Sequence, residues 1–436
     1  MKNRLYSNLF AVVLVLLFVF IALFALISNA NIAFAENQKV QDFINTYKIK
    51  ADVVNKKNLL DFNGNKYELY EFGENGYAIF ESSSGIMLEG SKSATSPYYK
   101  YEDSNLYYLG IGNYYILIDD KLLDVKRNVF VECYDNLKKN NVSVPINQQY
   151  YSSNSKLYKR NQLKYAGDDF TYINNHGYFE DLDQYPINND NSCGVTALSI
   201  LLGYYDCYHN DGFVDDFYMY KETLHVTSLS QASGWYPSSG TLNSFGSFIK
   251  NSSYIHYVPN VSGAYPMTHI EIKNTIDDYI YGECPSYIND NYHHSYGTIV
   301  NTHSYPRYLL SINWPVILTL TMYEYAGNTY WTNWHDVVAY GYNEARDEFV
   351  VHMGWGHSTN DYILSTYTVM GYYALIYTGE HDHSSNNYVM HHYKFLGRDY
   401  VSTLGVCGCG VKTIISIDRE WWKELKWKTY IIINCL

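Results

Sequence analysis

Short segments of alternating hydrophobic and polar residues occupy the chain between residues 59 and 131. Residues 66–72 alternate with a period close to two, glycines at positions 73 and 76 indicate a turn, and residues 77–81 return as a second strand. The pattern predicts a β-hairpin within a β-rich region. Further short strands are predicted at residues 107–109 and 114–117.

The pattern changes to a helical period at residue 193. Residues 188–192 are polar and suit a loop, and the apolar residues that follow recur at helical spacing. Asn191 or Ser192 is a good N-cap, so Cys193 is predicted to lie in the first turn of a helix. The apolar positions of this helix are Val195, Leu198, Leu201, Leu202 and Tyr205.

Later segments of the chain predict both helices and strands. Residues 228–250 are rich in glycine and serine and are expected to be irregular, whereas residues 269–281 predict an amphipathic helix. The apolar, β-branched run 315–322 predicts a buried strand. Residues 333–342 and 349–356 are typical of two strands joined by a polar turn, and they predict a second hairpin.

Two polar segments separate these regions from the N-terminus and from each other. Residues 36–57 are polar, with a short helix predicted at 40–47. Residues 136–169 are rich in Asn, Ser, Lys and Gln and predict a linker. This linker is either a site of processing cuts or an ordinary solvated connection. Its candidate cut sites are Lys156, Lys159, Arg160 and Lys164.

The N-terminus is typical of an export signal. Lys2 and Arg4 precede an apolar run over residues 9–27, and the A-x-A sequence at 33–35 suits cleavage before Glu36. The run is about as long as a minimal membrane span, so an uncleaved anchor is the alternative. In both cases the sequence predicts that most of the chain lies outside the cytoplasm, either secreted or membrane-anchored.

Composition narrows the class of protein further. With 436 residues, 47% hydrophobic and 17% charged, the chain has enough apolar sequence for two or three folded domains. The 50 tyrosines favour β-structure. A formal charge of -13 argues against a nucleic-acid partner. Seven cysteines, an odd number, make a dense disulfide framework unexpected and leave one thiol to explain.

Cys193 is the candidate for a reactive thiol. The free N–H groups and positive dipole end of a helix N-terminus favour an anion, and the thiolate is the reactive form of cysteine. Gly194 leaves room for a substrate near the sulfur. A buried structural cysteine is the alternative. The partner that the sequence offers is His335, about 140 residues later, with His352 on the next predicted strand.

On these motifs the sequence resembles the papain-like cysteine peptidases of bacteria, within that group the streptopain-like enzymes and the bacteriocin-leader peptidases. The similar parts are the Cys193 segment, the histidine strand at 335–338 and the Gly-Trp-Gly at 354–356. Residues 67–97 are similar to the pro-segment of streptopain-like zymogens. The resemblance extends over roughly residues 59–377.

The resemblance implies a role for each matched residue. Cys193 would be the nucleophile and His335 the general base. His352 stands where the family has an Asn or Asp that orients the imidazole; a neutral His can accept that hydrogen bond, and a packed core histidine is the alternative. Asn188 would lend an N–H to the oxyanion hole, in competition with Asn189 and Asn191. Trp334 and Trp355 would cover the histidines, or serve as ordinary aromatic packing.

The C-terminal segment differs in character from the rest. His381, His383 and the histidines at 391–392, with Cys407 and Cys409, are zinc-ligand types, but their H-x-H and C-x-C spacings are not the common ones. A solvated loop or a disulfide is the alternative. The basic-aromatic tail from residue 420 either contacts a cell wall or membrane surface or caps the fold.

Together these features predict an α+β fold: a papain-like catalytic domain, with the Cys helix packed on an antiparallel sheet that carries the His, preceded by a β-rich pro-segment. The expected domains are a signal peptide (1–35), a pro-segment ending in a linker (36–164), the peptidase domain (165–379) and an extension (380–436). The predicted function is a secreted cysteine endopeptidase zymogen that acts on polypeptides and needs no cofactor. The alternatives are a surface binding or adhesion protein with a degenerate peptidase fold, and an acyltransferase that uses the same Cys–His pair.

Overall fold

The predicted hairpin at residues 66–81 is present in the structure, a computed structural model, and is the centre of a run of short antiparallel strands. Tyr67 pairs with Glu81 and Glu71 with Tyr77, as the alternating pattern predicts. The strands of this region are β1 (Asn55–Leu60), β2 (Lys66–Glu71), β3 (Tyr77–Glu81), β4 (Met87–Ser91), β5 (Leu106–Tyr108), β6 (Tyr114–Ile118), β7 (Lys121–Asp124) and β8 (Val129–Val131).

The chain divides into two units, residues 1–52 and 53–436. In the first unit, residues 40–46 form helix α1, which confirms the prediction there. The signal segment, Asn188, and Cys407 and Cys409 lie outside the described residues. The structure describes residues 40–47, 49, 53, 55–73, 76–102, 105–147, 170–180, 192–210, 212–215, 239–258, 267–299, 304–344, 346–355, 361–379, 388–395, 398–406 and 412–419.

Helices of the second unit follow the sequence pattern in two places and depart from it in two others. The predicted helices at residues 193 and 269 are confirmed. Residues 239–251, expected to be irregular, are helical, and the first residues of the predicted linker belong to a short helix. These helices are α2 (Tyr134–Lys139), α3 (Gly177–Glu180), α4 (Cys193–Tyr208), α5 (Ser239–Asn251), α6 (His269–Glu283), α7 (Ser286–Asn289) and α8 (Ser304–Ser311).

Tertiary packing explains the helix that the sequence did not predict. Phe245 and Ile249 are one helical turn apart in α5, and both are fully buried in the core. Burial of this pair outweighs the low helix propensity of the glycine and serine residues around it.

Helix α6 also has a capping box, formed by Thr268 and Glu271, which satisfies its first backbone N–H groups.

The second half of the chain contributes longer strands. The buried strand predicted at residue 315 and the hairpin at 333–356 are both confirmed. Strands β16 to β18 form a separate three-stranded sheet. The strands are β9 (Thr171–Tyr172), β10 (Tyr292–Thr298), β11 (Val316–Ala326), β12 (Thr329–Asn343), β13 (Glu348–His352), β14 (Tyr362–Ser365), β15 (Val369–Tyr377), β16 (Tyr388–Phe395), β17 (Arg398–Val406) and β18 (Lys412–Arg419).

A single mostly antiparallel sheet joins the two halves of the second unit. Within the described ranges it has 15 strands, in the order β10-β15-β11-β12-β13-β14-β4-β3-β2-β1-β5-β6-β7-β8, with β9 beside β12. The junction is the pairing of β14 with β4, where Ile363 lies opposite Gly90. Helices pack against this sheet, so the coarse prediction of an α+β fold is confirmed.

The core also extends across this junction. One hydrophobic cluster includes Leu69 and Tyr77 of the N-terminal strands together with Leu198 of α4 and Val350 of β13. Every residue of α4 is buried, which explains why its apolar residues are not confined to one stripe. The predicted boundary near residue 165 therefore separates two stretches of sequence that share one sheet and one core.

Candidate active site

Cys193 is the first residue of α4, with Ser192 as its N-cap residue. Its Sγ donates a hydrogen bond to the backbone oxygen of Trp334 at 3.7 Å, and the backbone of Asp336 also hydrogen-bonds the sulfur. Strand β13 pairs with β12 only from Val338 onward, which leaves this edge of β12 open to the helix start. The sulfur therefore contacts the β12 backbone on both sides of His335.

His335 lies in the middle of β12, opposite Leu320 of β11. Its imidazole is buried and stacks on the indole of Trp355, with 4.5 Å between the ring centroids and 22° between the planes. The backbone of Met353 hydrogen-bonds the ring and favours its protonated form. The Nε2 atom is buried and has no hydrogen-bond partner in the described part of the chain.

Burial sets the protonation state of the two candidate catalytic groups. Desolvation, with a smaller contribution from the charge of Lys126, lowers the pKa of His335 to about 3. Desolvation and the charges of Asp336 and Glu324 raise the pKa of the Cys193 thiol, although backbone groups of Asp336 and Gly194 act in the opposite direction. The helix N-terminus favours the thiolate as the sequence suggests, but burial outweighs it, so Cys193 is a thiol and His335 a neutral imidazole.

His352 ends β13, and its buried ring accepts a hydrogen bond at Nδ1 from the backbone N–H of Gly354 (3.1 Å). The next residue, Met353, contacts the His335 ring. Gly354 has a φ of +70°, and a Cβ there would lie 3.1 Å from Thr196 in the first turn of α4. This close approach brings the segment that carries Trp355 against the start of the Cys193 helix. An orienting role for His352 stays a prediction.

Asp336 adjoins His335 in sequence, so its side chain lies on the opposite face of β12. Its Oδ1 accepts a hydrogen bond from Thr319 (2.9 Å), whereas Oδ2 is buried without a partner among the described residues. Burial raises the pKa of this carboxyl to about 8, against the effect of the Thr319 hydrogen bond. Asp336 therefore holds its proton at neutral pH, which limits its influence on the neighbouring thiol.

The predicted pro-segment contacts this site through Lys126. Its Nζ lies 3.1 Å from the centroid of the Trp355 ring, on the residue that stacks on His335. Desolvation of the amine lowers the pKa of Lys126, although the side chain as a whole is exposed. Gly112 packs against Trp355 and Met322 so closely that a Cβ there would lie 2.9 Å and 2.6 Å from them.

The predicted residues thus divide into three groups. Cys193 contacts the backbone of Trp334, His335 stacks on Trp355, and His352 is one residue from a contact of the His335 ring. Asn188 lies outside the described residues. Sequence reasoning missed Lys126, since nothing in its short turn between β7 and β8 indicates that its amine contacts Trp355, 229 residues later in the chain.

Comparison of the chain with protein-family models and with curated proteins gives no significant match. The described residues include no group of three or more His, Cys, Asp or Glu side chains placed to hold a metal. The candidate zinc ligands at 381, 383, 407 and 409 lie outside those residues, and the histidines at 391–392 lie in β16. No helix within the described ranges is both long enough and apolar enough to cross a bilayer.

Proposed function

We propose that this protein is a secreted, papain-like cysteine endopeptidase made as a zymogen. The observation that carries the proposal is the position of Cys193. Its sulfur lies at the start of a buried helix and contacts the backbone of β12 on both sides of His335. A thiol and an imidazole on such elements are the two groups that nucleophilic acyl transfer requires. Secretion rests on the export signal in the sequence.

In the proposed mechanism, Cys193 Sγ attacks the carbonyl carbon of a peptide bond while the thiol proton passes to His335. Nε2 is the ring nitrogen without a partner among the described residues, and it is the candidate acceptor. The C–N bond then breaks as His335 returns that proton to the leaving amine. Water attacks the resulting thioester, releases the acid and restores the thiol. Backbone N–H groups at the helix start, with Asn188 as the resemblance implies, would stabilise the oxyanion.

The Lys126 contact supports the zymogen part of the proposal. A positive charge on one face of Trp355 opposes protonation of His335 on the other face, and the pKa of His335 is lowered accordingly. A thiolate–imidazolium pair is therefore disfavoured while residues 110–126 lie against the site. Withdrawal of this segment after a cut in the linker would return water and a higher pKa to the imidazole.

Hydrolysis of casein by the full-length chain, before and after trypsin nicking of the linker, tests the proposal. We expect nicking to raise hydrolysis at least tenfold and Cys193→Ala to abolish it. Cys284→Ala is the matched control, since Cys284 is a half-buried thiol outside the site and forms no disulfide. Hydrolysis that survives Cys193→Ala would refute the peptidase assignment, and equal activity before and after nicking would refute latency.

A non-catalytic binding protein is the second candidate. The raised pKa of the Cys193 thiol and the lowered pKa of His335 favour it, because both shifts disfavour the reactive ion pair. Labelling of the nicked protein with a thiol-directed epoxide inhibitor separates the two candidates. A peptidase labels at Cys193, whereas a binding protein with the same fold does not.

A further inference from the structure

One face of the β11–β12 hairpin carries a row of buried polar atoms without hydrogen-bond partners in the described chain. They are Glu324 Oε2, Trp331 Nε1, Asn333 Oδ1 and His335 Nε2. The three residues of β12 are spaced by two, so they share a face. Glu324 lies directly opposite Trp331 across the hairpin, which puts it on that face as well. The row therefore begins at the candidate base and runs towards the hairpin tip.

Such a row is unusual, because buried polar groups in proteins nearly always have partners and each unsatisfied group costs free energy. Four in succession indicate that the partners come from a ligand. Trp331 Nε1 is a donor only, while the carboxyl of Glu324 and the oxygen of Asn333 are acceptors. An extended peptide offers both kinds of group, and its two-residue repeat of about 6.6 Å equals the spacing of alternate residues on β12.

The hairpin also places an acid within electrostatic reach of the proposed nucleophile. The charges of Asp336 and Glu324 both raise the pKa of Cys193. Asp336 lies on the opposite face of β12, is fully buried and bonds to Thr319. Glu324 is only half-buried and has an unsatisfied oxygen, which leaves it as the acid that a ligand can reach.

The predicted pro-segment covers this face. Gly112 packs against Met322 and Trp355, and the backbone N–H of Tyr323 donates to Asn113 Oδ1 at 2.9 Å. The same segment places the amine of Lys126 on the ring of Trp355, next to the candidate base. The side chain of a lysine therefore already lies at one end of the row, although desolvation lowers the pKa of its amine to about 7.

We propose that Glu324, Trp331 and Asn333 form a substrate-binding strip beside His335, and that Glu324 receives the side chain of a lysine or arginine in an extended peptide. The inference rests on the proposed function for the nature of the substrate. It adds a preference for basic residues and names the residue that determines it.

Binding can be measured separately from cleavage in chains in which the cover is loosened. Gly112→Ala is suited to this purpose, because its methyl group would stand 2.6 Å from Met322 Cε and 2.9 Å from the Trp355 ring, at a φ of +76°. Asn113→Ala, which removes the hydrogen bond to Tyr323, is the second opening variant. Each is combined with Cys193→Ala in the full chain, and folding is checked by circular dichroism.

The probes are a fluorescein-labelled nonapeptide of alanine and glycine with one central lysine, and the same peptide with norleucine. Fluorescence anisotropy should show the lysine peptide binding at least tenfold more tightly. Glu324→Gln should remove this preference. Glu344→Gln, which removes an exposed acid in the β12–β13 turn, should keep it. Equal binding of the two peptides, a preference that survives Glu324→Gln, or no binding by either opening variant would overturn the inference.

Cleavage of the same peptides by opened chains that retain Cys193 separates this inference from the proposed function. Binding that depends on Glu324, without cleavage, would support the substrate-binding strip and refute the proposed peptidase activity. Cleavage without a preference for lysine would refute the proposed role of the strip and support the peptidase activity.

Discussion

Two buried sites in this protein differ in how fully the hydrogen-bonding atoms of their ionisable groups are satisfied. Glu89 of β4 is fully buried and accepts hydrogen bonds from the hydroxyls of Tyr77 (3.0 Å), Tyr108 (3.2 Å) and Tyr114 (2.8 Å). Burial raises the pKa of Glu89 to about 7, while the three hydroxyls act against that rise. The carboxyl is surrounded by partners in either protonation state.

At the candidate active site each group has a partner on one atom and, among the described residues, none on the other. His335 Nε2 and Asp336 Oδ2 are equally buried, but each is unsatisfied within the described residues. Burial moves their pKa values in opposite directions, to about 3 for His335 and about 8 for Asp336, so that both groups are neutral near pH 7. Each group has a single hydrogen bond, and neutrality lowers the cost of burying the atom that has none.

The difference separates structural from functional polar groups. A satisfied network such as that of Glu89 fixes the position of strands, and its loss should appear as lost stability. A buried atom without a partner contributes no hydrogen bond to the stability of the free protein, so it is a candidate for a role in chemistry or binding. The two sites should therefore respond to mutation in different measurements.

The largest expected effect is on activity, at the unsatisfied site. His335→Phe keeps an aromatic ring on Trp355 and removes both the Nε2 atom, which has no partner in the described chain, and the ring's hydrogen bond to the Met353 backbone. Hydrolysis of casein by the nicked protein should fall at least about 100-fold, the usual contribution of a general base. Urea unfolding should show a loss of no more than about 1.5 kcal/mol, since a single ring hydrogen bond is removed. A large loss of stability would place His335 with Glu89 as a structural group.

The reverse effect is expected at the satisfied site. Glu89→Ala leaves three tyrosine hydroxyls of the core without their acceptor. The free energy of unfolding should fall by about 3 kcal/mol or more, because each unsatisfied hydroxyl costs about 1–3 kcal/mol. Glu102→Ala, at an exposed acid, is the control and should change stability by less than about 0.5 kcal/mol. A small effect of Glu89→Ala would break the contrast between the sites.

The pH dependence of stability tests Asp336. Its pKa is raised in the folded protein, so its contribution to stability is fully present below the unfolded pKa near 4 and is lost as the pH rises through about 8. Asp336→Asn cannot ionise and still offers an oxygen to Thr319. Between pH 5 and pH 9 the variant should gain roughly 4 kcal/mol relative to the original protein in urea unfolding. Parallel pH profiles would show that Asp336 is not held protonated.

The smallest expected effect concerns Lys126. Replacement by Met removes a charge that lowers the pKa of His335 while it keeps an apolar side chain on Trp355. The pKa of His335, followed by NMR of its ring protons in the full-length chain, should rise by up to about one unit, since burial remains the larger cause. Lys121→Met, at an exposed position in β7, should leave that pKa unchanged. The same result for both variants would show that the charge of Lys126 does not lower the pKa of His335.

Local patterns were sufficient to predict the elements that carry the candidate site. The helix that begins at Cys193, the buried strand near residue 316 and the strand that carries His335 all follow from apolar periodicity and turn residues. What local pattern does not contain is the pairing of distant strands. The junction of β14 with β4 depends on segments about 270 residues apart, so the sequence suggested separate domains where the structure has one sheet.

The same limit applies to the contacts of the site. Tertiary packing alone brings three groups into interaction with the site, and no motif marks them. The charge of Glu324 acts on Cys193, and the charge of Lys126 and the backbone of Met353 act on His335. Helix α5 was missed because burial of Phe245 and Ile249, and not propensity, stabilises it. Burial also reversed the expected effect of the helix N-terminus on the pKa of Cys193, since desolvation is a property of the folded chain.

The most direct test of the central claim, that Cys193 acts with His335, is inhibitor labelling of the nicked protein followed by peptide mapping with mass spectrometry. We expect a single modification, at Cys193, by a thiol-directed epoxide, and at least a tenfold slower reaction in His335→Phe. Labelling of Cys133 or Cys284 in place of Cys193, or an equal rate in the His335 variant, would contradict it.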